Sequence, residues 1–228
     1  MSDAIVVGAG PNGLTCAALL ARAGVRVTLI EAEETIGGGT RTSELTLPGL
    51  LHDHCSAVHP MAPESPAFRS LDLAAHGLEW CWPDIDLAHP LDDGTAGVMV
   101  RSIDATAQRL GDDGPRWKRL FAASAAAFRQ LNDDDLTRPV LHVPRHPLRL
   151  ARFGLPAAAP ATLVARLLGT ARGRALFGGV AAHSFSPLSR PFSSAIGTAL
   201  ICAGPGRGDR SAAPHPPNNR AEKGIRRR

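Results

Sequence analysis

The sequence predicts an α/β fold at its N-terminus that continues into a largely helical α+β region, and three features predict it. A short apolar strand, Ile5-Val6-Val7, runs directly into Gly8-Ala9-Gly10-Pro11-Asn12-Gly13. A helical run from Leu14 to Ala23 follows, and a second strand, Val27-Thr28-Leu29-Ile30, ends on Glu31. A further glycine turn, Gly37-Gly38-Gly39-Thr40-Arg41-Thr42, comes next. Strand, glycine turn, helix and acid-tipped strand, in that order, make a Rossmann-like dinucleotide-binding unit.

Each part of that unit has its own physical reason. Gly8 lets the chain turn off the strand, Gly10 lets the backbone approach a pyrophosphate, and Gly13 lets helix and strand pack closely, while the helix start offers free N–H groups to the anion. Gly-x-Gly-x-x-Gly is weak evidence by itself in a chain with 23 glycines. Here the strand precedes it, small Ala17, Ala18 and Ala21 let the helix approach the sheet, and Gly24 supplies the stop. Glu31 stands where a carboxylate accepts hydrogen bonds from both hydroxyls of an adenosine ribose, and its charge disfavours a 2′-phosphate. The first half of the unit serves NAD and FAD alike. The second glycine turn favours FAD, because its N–H groups and the bidentate guanidinium of Arg41 suit a longer cofactor. The candidate cofactor residues are Gly8, Gly10, Pro11, Asn12, Gly13, Glu31, Ala32, Gly38, Gly39, Arg41 and Thr42.

Gly-Ala-Gly-Pro-Asn-Gly-Leu with Glu31, followed by Gly37 to Thr42, resembles the N-terminus of the phytoene desaturase-type flavoproteins, a branch of the FAD-dependent amine oxidase-like group. Leu47-Pro48-Gly49, His52 to Pro60 and Ser65 to Leu71 resemble one sub-branch, which holds NAD(P)/FAD-dependent oxidoreductases and the second type of pyridine nucleotide-disulphide oxidoreductase domain-containing protein. Leu87 to Gly94 and Ala181 to Ser184 fit the same setting, so the resemblance covers about residues 3 to 203. It implies an FAD-dependent dehydrogenation or desaturation of an apolar, isoprenoid-like substrate, with hydride passing to the flavin. It names neither catalytic residues nor an electron acceptor. It also implies that His59 lines the active site, although a structural, hydrogen-bonded role fits that residue and His183 as well. Two other readings are an NAD-binding dehydrogenase and a non-catalytic fragment that keeps the ADP-binding half of a flavin site.

Beyond the nucleotide unit, residues 66 to 76 read as a short helix, and 78 to 82 and 97 to 101 as strands. Residues 102 to 110 read as a helix opened by a Ser102 cap. Residues 113 to 131 form the longest helical candidate, with Trp117, Leu120, Phe121, Ser124, Phe128 and Leu131 in one apolar stripe. Asn132 to Asp135 read as a solvated cap and turn, the proline-punctuated stretch from Pro139 to Pro160 as a connector, and 161 to 170, 172 to 182 and 188 to 202 as helices. The expected organisation is a nucleotide unit over 1 to 60, a partial, helical substrate domain over 61 to 203, and a disordered basic tail over 204 to 228.

At 228 residues and 44% hydrophobic the chain can bury a core, and this length allows one or two domains. The net charge of +4 would suggest a nucleic-acid partner were it spread over the protein. It is concentrated in the tail, where Arg, Pro and Gly dominate and Ile225 is the sole large aliphatic, so no nucleic-acid partner is expected of the body. The likeness stops abruptly there, as expected of a truncated or out-of-frame C-terminus; the competing expectation is a solvated basic tail. Translating the downstream DNA in the other frames separates the two. Cys16, Cys55, Cys81 and Cys202 form no C-x-x-C pair, and the first strand begins at once with no signal peptide, so a reducing cytoplasm is expected, with Cys16 a small core residue. Cys55-x-x-x-His59, beside His52 and His54, supplies only two ligands at zinc spacing, and no metal site is expected. No apolar run is long enough to span a bilayer, which leaves peripheral membrane contact open.

Overall fold

A computed structural model describes residues 3–139 and 141–204, with the backbone of Ile225–Arg226. The chain divides into two units, the first reaching Cys81 and the second beginning at Trp82. The boundary expected at residue 60 therefore falls inside the first unit.

In the first unit β1 (Asp3–Val7) pairs in parallel with β2 (Arg26–Ile30), Val6 beside Leu29 and Val7 beside Ile30. Parallel neighbours need a crossover, and α1 (Pro11–Arg22) supplies it. Pro11 occupies the first turn, where its missing N–H costs nothing, and Gly24 ends the crossover at φ +83°. Strand alternation leaves Ile5, Val7 and Ile30 exposed, while Val6, Val27 and Leu29 are more covered. Cys16 is exposed, contrary to the expected core position: with one sheet face to cover, only one side of α1 is occupied. A hairpin of three-residue strands, β3 (Thr42–Glu44) and β4 (Leu51–Asp53), follows the second glycine turn. No strand is expected there from the sequence pattern. The expected helix at 66 to 76 is shorter, α2 (Pro66–Ser70), with Ser65 capping its Phe68 N–H. β5 (Glu79–Trp80) pairs antiparallel with β8 (Ile225–Arg226). The rest of the tail, 205 to 224 and 227 to 228, lies outside the described residues, and with it the expectation of disorder there.

The second unit opens with a hairpin, β6 (Leu87–Pro90) and β7 (Ala96–Met99). Its helices are α3 (Ile103–Leu110), α4 (Gly114–Ala126), α5 (Phe128–Leu131), α6 (Pro147–Ala158), α7 (Ala161–Arg166), α8 (Ala171–Ala181) and α9 (Ala195–Ala203). The expected apolar stripe is the core: Trp117, Phe121, Phe128 and Leu131 are fully buried together with Leu176 and Phe177. Trp117 meets Phe121 edge-on at 4.7 Å, and Phe121 stacks on Phe177 at 5.8 Å. The single helix expected over 113 to 131 breaks at Ala127.

Two further corrections arise here. Asn132–Leu136 is a π-helical turn, and Asp135 is buried in it rather than solvated, because Arg145 N–H donates to its Oδ1 at 2.9 Å and His142 Nε2 lies at 3.3 Å. The connector contains α6, with Pro147 in its first turn, where a missing N–H costs nothing, and Pro156 inside it, where one backbone bond to the preceding turn is given up.

Asp113 ties the helices of this unit together. Its buried carboxylate accepts the N–H of Gly169 at 2.5 Å, the N–H of Thr170 at 2.8 Å and the Thr170 hydroxyl at 2.5 Å. Arg116 lies at 3.3 Å. Thr170 Oγ1 in turn caps α8 by accepting Gly173 N–H. Burial pushes the Asp113 carboxyl up, yet the Thr170 and Gly169 donors outweigh it and hold it below the usual range.

Candidate dinucleotide site

The two glycine turns of the first unit meet. Gly8 leaves β1 at φ +94° and donates its N–H to Ile30 O at 2.7 Å, which fixes the first turn over the end of the sheet. A Cβ on Gly13 would collide with the Gly8 carbonyl, so only glycine lets α1 start this close to β1. Gly37, at φ +118°, donates its N–H to Ala9 O at 2.8 Å and so seats the second turn on the first. Gly38, at φ +52°, passes so near Gly10 that a Cβ there would stand 3.0 Å from the Gly10 Cα. Side chains at these points would fill the space between the turns.

The start of α1 faces this junction without a side-chain cap: Gly10 is the N-cap, Pro11 the first helical residue, and Asn12 is exposed just behind. Uncapped N–H groups and the helix dipole are suited to a pyrophosphate. Glu31 is held more tightly than the sequence suggested. Its Oε2 accepts Ala9 N–H at 2.6 Å, and its Oε1 accepts Ala32 N–H at 3.0 Å and Glu33 N–H at 3.1 Å. The Ala9 N–H, then that of Glu33, hold its carboxyl below the usual range, with Arg41 adding to the effect, so it is ionised at neutral pH. A carboxylate has about four lone-pair positions. Three are taken, so one ribose hydroxyl fits directly and a grip on both requires one backbone donor to be shared. Ala32 contributes here as a donor to Glu31.

The remaining candidates divide. Gly39 is exposed beside Cys55, at the edge of the junction. Arg41 folds back on its own turn, Nε donating to Gly38 O at 3.1 Å and Nη1 lying 3.6 Å from Glu33. Half of its guanidinium edge is thus spent on holding the turn, and it stands ready as a partial, not a full, fork. Thr42 donates its hydroxyl to Asp53 at 2.5 Å across the hairpin and braces the turn from behind. Ala9 and Gly37 are absent from the candidates named by sequence, yet their mutual backbone bond is what joins the turns. Gly37 was visible in the triple-glycine run; no side chain marks Ala9. The histidines converge on no metal: His52 bonds Thr46, His54 bonds Ser43, and His59 bonds Ser56. No group of three metal-ligating side chains occurs among the described residues. His183, in the turn that follows α8, bonds the Val180 carbonyl near the end of that helix.

Comparison with known proteins agrees with this geometry. Residues 6–72 match the NAD(P)-binding Rossmann-like domain family. Over 134 positions the chain is 30% identical to one of the subunits of limonene dehydrogenase from Castellaniella defragrans, covering 59% of this chain and 24% of that protein. It is 34% identical over 107 positions to pyridine nucleotide-disulfide oxidoreductase domain-containing protein 2 of Rattus norvegicus, covering 44% and 17%. A putrescine oxidase mutant from a redesign of its cofactor binding superposes with a TM-score of 0.51 at 23% identity, over 88% of this chain and 43% of the other, which shows a shared fold. The chain spans less than a quarter of the two curated relatives. The expected Rossmann-like dinucleotide-binding fold class is borne out. Among the described residues no helix is long and apolar enough to cross a membrane.

Proposed function

We propose that this chain holds FAD through its first unit and serves an oxidoreductase of the phytoene desaturase type that dehydrogenates an apolar substrate. The observation that carries the reading is the contact between the two glycine turns through Gly37 N–H and Ala9 O. A first turn alone serves either dinucleotide; a second, seated on it with Arg41 behind, extends the row of backbone donors in the direction a longer cofactor needs. The similarity to the limonene dehydrogenase polypeptide, whose named substrate is a hydrocarbon, supports the apolar substrate.

The residues fit the adenosine and pyrophosphate half of FAD. The start of α1 and Gly10 receive the diphosphate, Glu31 holds the ribose, and Gly38 keeps the second turn from obstructing either. When bound, the flavin supplies the redox chemistry and accepts the hydride. Removing hydrogen from an apolar carbon skeleton needs no nucleophile from the chain, in keeping with the lack of a recognisable triad in the sequence. The test is a visible spectrum of the purified chain followed by titration with FAD, ADP and NAD. Flavin absorbance and FAD binding tighter than NAD support the reading. A colourless protein that FAD does not reconstitute overturns it, and tighter NAD binding favours a nicotinamide enzyme.

A further inference from the structure

We propose that the outward face of α6, with the loop before it, seats on an anionic phospholipid surface. The sequence from Leu136 to Ala203 contains eight arginines and no Asp or Glu, the flanking acids being Asp135 and Asp209. Within that stretch α6 buries Phe153 and Ala157 and turns Leu148, Arg152 and Leu155, spaced four and three residues apart, to the other side. Leu148 is 86% exposed and Leu155 75%. Just ahead, Leu141 and Val143 are 94% and 90% exposed. Phe192, 68% exposed at φ +64°, donates its N–H to Ala158 O and extends the apolar surface past the end of the helix. An aromatic residue held in the left-handed region with its ring in water is costly unless the ring has a use.

A second observation points to the headgroup. A depression of about 240 Å³ beside α6 is lined by Leu148, Arg149 and Arg152, and by Ser124, whose buried Oγ has no hydrogen-bond partner among the described residues. A hydroxyl donor below two guanidinium groups suits one phosphate oxygen set. Asp134, which lines the neighbouring depression with Asp133 and Arg149, is matched by Arg145 at 2.7 Å and His146 at 3.3 Å, while Arg149 donates to the neutral Gln130 Oε1 and so keeps its charge. A nucleic acid would satisfy the arginines and leave the leucines in water. A lipid interface takes both, guanidinium groups at the phosphates and leucines at the acyl boundary. This surface lies in the second unit and goes beyond the cofactor reading, which could fail without it.

The test is sedimentation of the full chain with vesicles of phosphatidylcholine, with and without phosphatidylglycerol. The full chain is needed because its last 25 residues hold seven basic groups. Binding to the anionic vesicles alone is expected, weakened about 30-fold by R149Q/R152Q, since each basic residue at the surface contributes about fivefold. L148S/L155S should weaken it at least about tenfold. All four positions are exposed, so circular dichroism should match the parent. Equal binding to neutral vesicles, or a double arginine variant that binds as the parent does, overturns the proposal. So does an L148S/L155S variant that keeps vesicle binding and loses self-association, because a second copy would then be the occupant.

Discussion

The two units are held together by different forces. In the first, Ala9 is the one apolar residue with no exposure among the described residues, and strand residues such as Ile5 and Val7 stand largely in water; its shape comes from backbone hydrogen bonds and from glycines at junctions. In the second, a cluster of aromatic and aliphatic side chains is sealed from solvent. The difference teaches where each kind of substitution acts. Changes in the second unit should register as stability, whereas changes in the first should register as ligand affinity.

The sharpest way to break the contrast is Trp117→Ala. Trp117 is fully buried against Phe121, and large-to-small aromatic changes of this kind cost about 3–5 kcal/mol. Urea denaturation should show that loss. An unchanged midpoint would mean that the aromatic cluster is not the centre of the unit. Asp113→Asn follows, at about 2–3 kcal/mol, because the amide replaces a charged acceptor and turns one donor-facing oxygen into an NH₂. The parent should also be pH-dependent at this site. The native carboxyl lies below its unfolded value near 4, so the stabilisation is complete above that value and is lost as pH falls through the lower native one. In Asp113→Asn that acid-side slope should shrink; a slope equal to the parent's would assign the pH dependence to other carboxylates.

In the first unit Glu31→Gln should leave thermal stability nearly unaltered and weaken FAD binding about tenfold, since a neutral amide is a poorer ribose acceptor and its NH₂ opposes the backbone donors of Ala9, Ala32 and Glu33. Fluorescence titration reads the affinity. A variant that melts far below the parent while binding FAD normally would reverse the roles assigned to the two units.

The same contrast explains what could be read in advance. The nucleotide unit was legible because a glycine that must turn at positive φ, or that lies against a carbonyl, is demanded by a few neighbours along the chain, and Glu31 follows at a fixed offset. The long stripe from Trp117 to Leu131 was legible because its period is helical. What escaped depends on contacts the local pattern does not record. Asp135 looks like a solvated cap until Arg145 returns ten residues later to donate to it. Residues 147 to 158 look like a connector because prolines flank and enter them, although a proline in the first turn favours a helix. The hairpin at Thr42–Glu44 and Leu51–Asp53 is too short and too polar for alternation to announce it. At the site, the strain-relieving glycines were found, but the bond between Gly37 and Ala9 is a backbone bond and leaves no side-chain signature.

The smallest expected effect tests a boundary of the second unit that sequence and structure place alike. Ser102 ends an extended segment and its Oγ accepts the N–H of Ala105 at 3.2 Å, closing the first turn of α3, with Asp104 in that turn favoured by the helix dipole. Ser102→Ala removes the acceptor and leaves an N–H that water can partly satisfy at this exposed position, so the cost should be about 1 kcal/mol. Ser102→Asp restores an acceptor and adds a charge of the favourable sign, and it should recover most of that loss. Paired denaturation curves decide the matter. If Ser102→Ala costs nothing, α3 is fixed by burial of Ile103, Ala107 and Leu110 alone, and even the edge of the second unit is held by side-chain packing rather than by backbone hydrogen bonds.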